Sequence, residues 1–153
     1  MKTNLKNAMD FCKQLKIAGG GWRLPSIIEL RSLIDKSNLF PALPKDHPFI
    51  GIQTVECYWS GSRKYYNAFY MDIGKGESLC SIDVDNDIFN VWPIRAKGFN
   101  VLWYGLFENL VARKISENEP RFTVSSDGLT VTDNRTGFEW LRDLDKLDDI
   151  KEE

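Results

Sequence analysis

The sequence has few of the residues on which metal and cofactor sites depend. Of its 153 residues, three are cysteine, at positions 12, 57 and 80, and one is histidine, His47. A disulfide framework requires more cysteines, and a zinc site requires more histidines or a CxxC spacing. We therefore expect no resident cofactor. Cys12 falls on a helical apolar face, which favours a small buried side chain, whereas a bridge between Cys57 and Cys80 stays open.

A long apolar run and a concentration of basic charge are also missing. No stretch approaches the ~20 apolar residues of a membrane span, and the polar N-terminus predicts no signal peptide. The 20 basic residues are scattered and the net charge is −2, so neither nucleic acid nor membrane insertion is expected. By contrast, 42% hydrophobic and 12% aromatic residues suffice for one core. Residues 1–153 are therefore predicted to form a single domain.

Periodicity predicts a first helix near the N-terminus. Apolar residues recur at helical spacing over about residues 4–17. Thr3 or Asn4 is a suitable N-cap, and the glycines at 19–21 are typical of a helix end.

A second helix is predicted immediately afterwards. Ser26 and Glu29 have the spacing of a capping box, and the helix is expected to end near Asp35. Residues 36–57 follow with three prolines and little periodicity, so they are predicted to be a long ordered loop.

The pattern then becomes that of β-strands. Alternation predicts an antiparallel meander with strands at 68–73, 79–84 and 89–95. Pro93 lies inside the third strand and indicates an edge or a bulge.

The last third of the sequence has three parts. Residues 96–120 are a predicted connector, in which the apolar run 101–111 favours a helix or an irregular packed segment. Short strands and turns return over residues 121–143 and predict a hairpin. The tail, 144–153, is acidic and is expected to fray. Helices segregated from antiparallel strands make an α+β fold.

Three segments together resemble one family. They are GWRLP at 21–25 with EL at 29–30, YWS at 58–60 with VWPIR at 91–95, and DGLTVTDNRTG at 127–137 with EW at 139–140. Jointly they resemble the Lcl C-terminal domain family, whose fold is similar to that of C-type lectins and formylglycine-generating enzymes. The resemblance implies two helices packed on twisted antiparallel sheets. It also implies adhesion and an extracellular or cell-surface location, because such domains occur in bacterial surface and secreted proteins.

The order of these segments departs from that of the family. The resemblance places the DGLTVTDNRTG segment at the start of a family domain, whereas here it comes last. Residues 5–95 would then be the back part of the domain and 121–143 its N-terminal hairpin. A circular permutation, a cut through a tandem array and a domain-swapped dimer all explain this order. We favour a monomer in which the hairpin pairs with its own meander, because the connector is long enough to span a small domain.

Catalytic residues are not evident in the sequence. His47 lies in the proline-rich loop without a motif around it, and neither Cys57 nor Cys80 matches the cysteine motif of the formylglycine-generating enzymes. We therefore expect no enzyme, with a thiol-dependent relative of those enzymes as one alternative and a structural repeat from a tandem array as another.

Asp83, Asp85 and Asp87 invite comparison with a calcium loop. The glycine and glutamate that an EF-hand requires are replaced by Ile88 and Ile94. A turn with solvated carboxylates is the simpler interpretation, and weak calcium binding together with another loop stays open.

A binding surface is the remaining functional hypothesis. Tyrosine and arginine are enriched at interface hot spots, and a polar aromatic loop follows Trp59. The candidate ligand-binding residues are Arg63, Tyr65, Tyr66, Asn67, Asn86, Asp87, Asn90 and Trp92. Loop packing by the two tyrosines is the alternative. Trp22, Trp59 and Trp140 are instead predicted to lie in the core. The predicted function is non-catalytic binding of a glycan or a protein.

Overall fold

The computed structural model describes residues 1–96 and 117–151. Within these residues the chain is α+β, as predicted, and none of its helices is long and apolar enough to cross a bilayer. The helices are α1 (Leu5–Gln14), α2 (Ile27–Leu33) and α3 (Lys146–Lys151), with a 3₁₀ helix at Ile17–Gly19. The strands are β1 (Lys2–Thr3), β2 (Cys57–Lys64), β3 (Asn67–Asp72), β4 (Glu77–Ser81), β5 (Phe89–Asn90), β6 (Ile94–Ala96), β7 (Phe122–Val124), β8 (Thr130–Asp133) and β9 (Phe138–Leu141). The predicted apolar segment 101–111 lies outside the described residues.

Both N-terminal helices begin where the sequence predicts. Asn4 caps α1 by accepting a hydrogen bond from the backbone of Asn7 at 3.0 Å. The capping box of α2 is complete, because the Glu29 amide donates to Ser26 Oγ at 3.1 Å and the Ser26 amide donates to Glu29 Oε1 at 2.6 Å. Arg23 also donates to both oxygens of the buried Glu29 carboxylate at 2.8 Å. The Glu29 carboxylate therefore takes part both in the N-terminal cap of α2 and in the ion pair with Arg23.

The first sheet has the strand order β1-β5-β2-β3-β4. Its centre is the antiparallel meander β2-β3-β4, in which Tyr58 lies opposite Met71 and Met71 lies opposite Ser78. The helix α2 packs against β2 and β3, which gives the predicted arrangement of helices against an antiparallel sheet.

The prediction of one strand over 89–95 is wrong. The chain pairs as β5 with β1 and β2, leaves the first sheet at Val91, and pairs again as β6 in a second sheet. Pro93 has no amide hydrogen to donate to a ladder, and its carbonyl accepts from the Leu141 amide at 3.0 Å. The proline therefore marks a transfer between sheets and not an irregularity within one strand.

The second sheet has the order β6-β9-β8-β7. The predicted hairpin of residues 121–143 is present in β7, β8 and β9, and β9 pairs with β6 of the same chain. The hairpin thus pairs with the end of the third strand of the predicted meander, at Ile94 and Arg95, and not with β2, β3 or β4.

Aromatic side chains fill the core between the elements. Trp59, Trp92 and Trp140 are each fully buried, and Trp22 is nearly so, which confirms the core prediction for Trp22, Trp59 and Trp140. The Trp92 ring lies 5.2 Å from that of Trp140 and 4.8 Å from that of Phe49. The core therefore joins the long loop, the first sheet and the C-terminal hairpin.

Arg95 connects three separate parts of the chain. Its Nη1 donates to the carbonyl oxygens of Ala18 and Gly20 at 2.7 Å, and its Nε donates to Glu139 at 2.9 Å. The guanidinium also lies over the Trp22 ring, 4.4 Å from its centroid. This arrangement ties the glycine-rich turn to both β6 and β9.

The expectation that the acidic tail frays is wrong for its described part. Leu144 and Leu147 are buried, the Leu144 amide donates to the Ile50 carbonyl at 3.0 Å, and α3 follows. The N-terminal amine also lies 3.0 Å from the Asp148 carboxylate. Leu144, just before α3, and Leu147, within it, are both buried against the core, and this apolar contact outweighs the repulsion among the exposed acids.

Candidate functional site

The predicted binding loop lies at one end of the meander. Lys64 pairs with Asn67 at the β2–β3 turn, and Ala68 pairs with Ser81 at the end of β4. The loop after β4 is therefore brought beside the turn, and Ser81 Oγ donates to Asp87 at 2.6 Å. We call residues 63–67 and 82–88 together the tip surface.

Two tyrosines dominate the tip surface. Tyr65 is 88% exposed and Tyr66 is 89% exposed, so neither ring packs its own loop, contrary to the alternative considered above. Tyr65 has a φ of +56°, a left-handed conformation that disfavours large side chains. Arg63 Nη2 donates to the Tyr66 carbonyl at 3.0 Å and supports the turn.

The neighbouring loop is held by hydrogen bonds at both ends. The Asp87 amide donates to the Asp83 carbonyl at 2.8 Å, and Asn86 Nδ2 donates to the Asp83 carboxylate at 3.0 Å. The Asn4 side chain donates to the Asp85 carbonyl at 3.3 Å. The loop is thereby anchored to the start of α1, which fixes its position relative to the turn.

Sequence reasoning missed two residues of the tip surface. Ile82 is 85% exposed and Ile88 is 57% exposed. Ile82 falls within the stretch 79–84, whose alternation predicted a strand, and for this reason it was not considered as a surface residue. Its position directly before the Asp83 turn could have indicated that its side chain is exposed. With the tyrosines, these isoleucines place four large apolar side chains on two adjacent loops.

Two of the predicted site residues are not part of this surface. Asn90 is buried, and its Nδ2 donates to Glu56 at 2.7 Å and to the Cys57 carbonyl at 3.2 Å. Trp92 is fully buried, and its Nε1 donates to the Leu141 carbonyl at 3.2 Å. Both side chains connect elements of the fold, because the chain turns inward after β5. The residues that the structure brings together are Arg63, Tyr65, Tyr66, Asn67, Asn86 and Asp87.

Two of the three carboxylates of the tip surface, those of Asp83 and Asp87, accept hydrogen bonds from neighbouring side chains. Asp83 accepts from Asn86, and Asp87 accepts from Ser81. Across residues 1–96 and 117–151, there is no group of three or more histidine, cysteine or acidic side chains that could hold a metal ion.

The cysteines are free and lie apart from one another. Cys57 pairs with Asp72 on β3, while Cys80 pairs with Phe69 on the other side of that strand. Since adjacent strands are ~4.8 Å apart and residues rise ~3.3 Å each, the two positions are too distant for a disulfide. The bridge left open by the sequence is therefore not formed.

Burial makes two of the thiols weak nucleophiles. It raises the pKa of the fully buried Cys12 thiol to about 12. Burial, and to a smaller extent the carboxylates of Asp72 and Glu56, raises the pKa of the Cys57 thiol to about 11. The thiolate is the reactive form of cysteine, and it is scarce at neutral pH for both side chains.

His47 lies outside the tip surface. Its ring stacks on Phe49 with centroids 5.9 Å apart, and its half-burial lowers its pKa below the ordinary value. The ring contributes to the packing of the long loop.

Comparison with known proteins adds a family. A family model described as the Lcl C-terminal domain matches residues 1–95, which is more than half of the 153 residues. The matched range includes α1, α2, the meander and Arg95, whereas the hairpin of residues 121–143 lies beyond it. No curated protein and no solved structure matches the chain.

Proposed function

The chain belongs to the Lcl C-terminal domain family, and from that premise we propose that it is a non-catalytic recognition domain of C-type-lectin-like fold. Its tip surface binds a glycan or a protein. The observation that carries this proposal is the joint exposure of Tyr65, Tyr66, Ile82 and Ile88 on two adjacent loops. Large apolar side chains exposed together on adjacent loops, in company with polar residues, are typical of interaction sites.

The chemistry of the tip surface suits recognition. Tyrosine offers a large apolar ring and a hydroxyl that can donate and accept, so it contacts either a protein surface or the carbon–hydrogen face of a sugar. Arg63, Asn86 and Asp87 add charged and amide groups to the same two loops. Such a mixture of an apolar centre and a polar rim resembles the anatomy of protein interfaces.

The backbone at Tyr65 supports a role in binding. A left-handed φ costs an ordinary side chain roughly 1 kcal/mol, whereas glycine and asparagine adopt it readily. The Tyr65 ring is exposed and so recovers little of this cost through packing. A strained residue that contributes little to stability is more easily explained by function.

The hydrogen bonds that hold the loop between β4 and β5 in place also favour binding. Hydrogen bonds from Asn86 to Asp83, from Ser81 to Asp87 and from Asn4 to Asp85 hold the β4–β5 loop. A preformed surface loses less conformational entropy when a ligand binds.

The proposal includes a permuted domain. We assign residues 121–143 to the segment that opens other domains of the family, returned here to the same fold by the connector. Intramolecular pairing of β9 with β6 supports this assignment, as does Arg121, whose Nη2 donates to the Ser32 carbonyl of α2 at 2.6 Å.

The proposed function is tested by screening the full chain against glycan, glycosaminoglycan and extracellular-protein arrays. We expect at least one ligand, and we expect Tyr66→Ala to weaken its binding by about tenfold or more, as truncation of a hot-spot aromatic does. Leu39→Ala is the matched control, because Leu39 is 57% exposed on a different loop and its removal should leave binding unchanged.

Tyr65→Asn separates binding from folding. Asparagine relieves the left-handed backbone, so this variant should unfold at the same or a higher temperature while it loses binding. Absence of binding on every array would instead favour a structural repeat without a ligand of its own. Equal binding by the wild type and both tyrosine variants would exclude the tip surface as the site.

A further inference from the structure

A cleft of about 760 Å³ lies between the loop after α2 and the start of β7. This volume is within the range of small-molecule sites, and the residues that line the cleft are outside the tip surface. The lining residues that matter here are Asp35, Asn38, Lys45, Asp46, Arg121 and Phe122.

Arg121 supplies a buried donor that lacks an acceptor. Its side chain is 17% exposed, and its Nη2 donates to the Ser32 carbonyl at 2.6 Å and to the Asp133 carboxylate at 3.3 Å. Its Nε is buried and has no hydrogen-bond partner in the part of the chain that the structure describes. A buried unsatisfied donor is rare in folded proteins, and this one belongs to a residue that lines the cleft, so its resonance can report on changes there.

The charges around the cleft are balanced. Asp35 and Asp46 are negative, while Lys45 and Arg121 are positive. A free anion would lie beside two carboxylates, and a cation would lie beside a guanidinium and an ammonium group. A neutral molecule that both donates and accepts hydrogen bonds avoids either repulsion.

The cleft also has apolar walls. Phe122 packs under the Arg121 guanidinium, whose Cζ lies 4.8 Å from the ring centroid. Pro44, Pro48 and Pro120 form the other apolar parts of the walls. Aromatic and proline surfaces pack against carbon–hydrogen groups, and prolines hold their shape when a ligand binds.

We propose that this cleft is a second binding site, and that it takes a neutral saccharide of about one or two rings. The proposal rests on the recognition function above but uses different residues. A ring hydroxyl accepts from the exposed Lys45 ammonium, other hydroxyls donate to the Asp35 or Asp46 carboxylates, and the carbon–hydrogen face of the sugar packs on the apolar walls. Asp35 is already fixed for this role, because the Ser37 amide donates to it at 3.0 Å and Asn38 donates to it at 3.3 Å.

The test is nuclear magnetic resonance titration of the isotopically labelled full chain. The probes are glucose, galactose, mannose and N-acetylglucosamine with their disaccharides, together with inorganic sulfate and a blocked glycine peptide. The readout is the Arg121 Nε–Hε resonance, assigned by its absence in Arg121→Lys, together with the backbone amides of residues 35–48. We expect at least one neutral sugar to shift these signals in a saturable manner at millimolar concentration.

Two double variants decide whether the shifts report this cleft. Lys45→Ala/Asp46→Ala removes one exposed pair of charges from its rim and should weaken sugar binding by about tenfold, as loss of hydrogen bonds to charged groups does. Asp10→Ala/Lys13→Ala removes the same charges from the exposed surface of α1 and should leave binding unchanged. Tyr66→Ala should also leave it unchanged, which separates this site from the tip surface.

Several results would overturn the proposal. Saturable shifts with sulfate alone would make the cleft an anion site, and shifts with the peptide alone would make it a peptide site. Sugar-induced shifts confined to the tip surface would refute the cleft while supporting the proposed function. The absence of any shift, with all the sugars, at both Arg121 Nε and the backbone amides of residues 35–48 would refute it as well.

Discussion

At the scale of single residues, burial determines which side chains can take part in chemistry. Cys12 and Trp92 are fully enclosed, whereas Tyr65 and Tyr66 are almost fully exposed. The types of these residues could be read from the sequence, but their exposure could not, because each depends on segments distant along the chain. Trp92, for example, is covered by Phe49 and Trp140.

His47 gives a residue-scale prediction about pH. Burial lowers its pKa below the ordinary 6.5, so the unfolded chain binds a proton before the folded one does. The stability contributed by the neutral ring is therefore fully present above pH 6.5 and is lost as the pH falls through the folded pKa. We expect the free energy of unfolding, measured by urea denaturation, to fall as the pH is lowered from 6.5 toward the carboxylate range.

The matched variant is His47→Gln, which removes the one titrating imidazole of the chain. Its stability should change less over the same pH interval than that of the wild type. Identical pH profiles for the two proteins would show that the ring is not buried in its neutral form.

At the scale of elements, local sequence patterns were sufficient to predict a helix or a turn where the residues that stabilise it are close together in the sequence. Ser26 and Glu29 are three residues apart, and their capping box is present as predicted. The turns at 126–128 and 133–137 likewise separate β7, β8 and β9. The failures occur where a partner is remote: the strand predicted at 89–95 divides between two sheets, and α3 forms because Leu147 docks on the core.

The capping box gives an element-scale prediction about stability. Ser26→Ala removes the acceptor for the Glu29 amide and should lower the free energy of unfolding by about 1 kcal/mol. The measurement is denaturation at neutral pH. Ser126→Ala, at an exposed turn serine outside any helix cap, is the control and should change stability by less than ~0.5 kcal/mol. Equal losses in the two variants would show that the cap contributes nothing particular to α2.

At the scale of the whole molecule, the two sheets are joined into one domain by contacts between the family-matched residues 1–95 and the C-terminal hairpin. Ile94 pairs with both Arg23 and Trp140, so β6 lies between the segment before α2 and β9. Two polar contacts cross the same boundary, because Arg95 of β6 donates to Glu139 of β9 and Arg121 donates to the Ser32 carbonyl near the end of α2. The sequence motifs indicated that the hairpin belongs to the same kind of domain, but they did not indicate which strand it would join.

These contacts predict a monomer. Because the hairpin completes its own domain, light scattering coupled to size-exclusion chromatography should give the mass of one chain, 17.6 kDa, over the whole range of concentrations. A swapped dimer would leave each hairpin on a neighbouring molecule. A mass of two chains that persists on dilution would contradict intramolecular closure.

The sequence by itself determined the features that short-range physics controls: helix caps, hairpin turns, the apolar periodicity of α1 and the residues that identify the family. The tertiary structure alone decided the transfer of the chain between sheets at Pro93, the burial of Asn90 and Trp92, the docking of α3, and the placement of the Tyr65 turn beside the loop that carries Ile82 and Ile88. The physical reason is that a cap or a turn is stabilised by atoms a few residues away. The exposure of a side chain depends on whatever the rest of the chain brings against it.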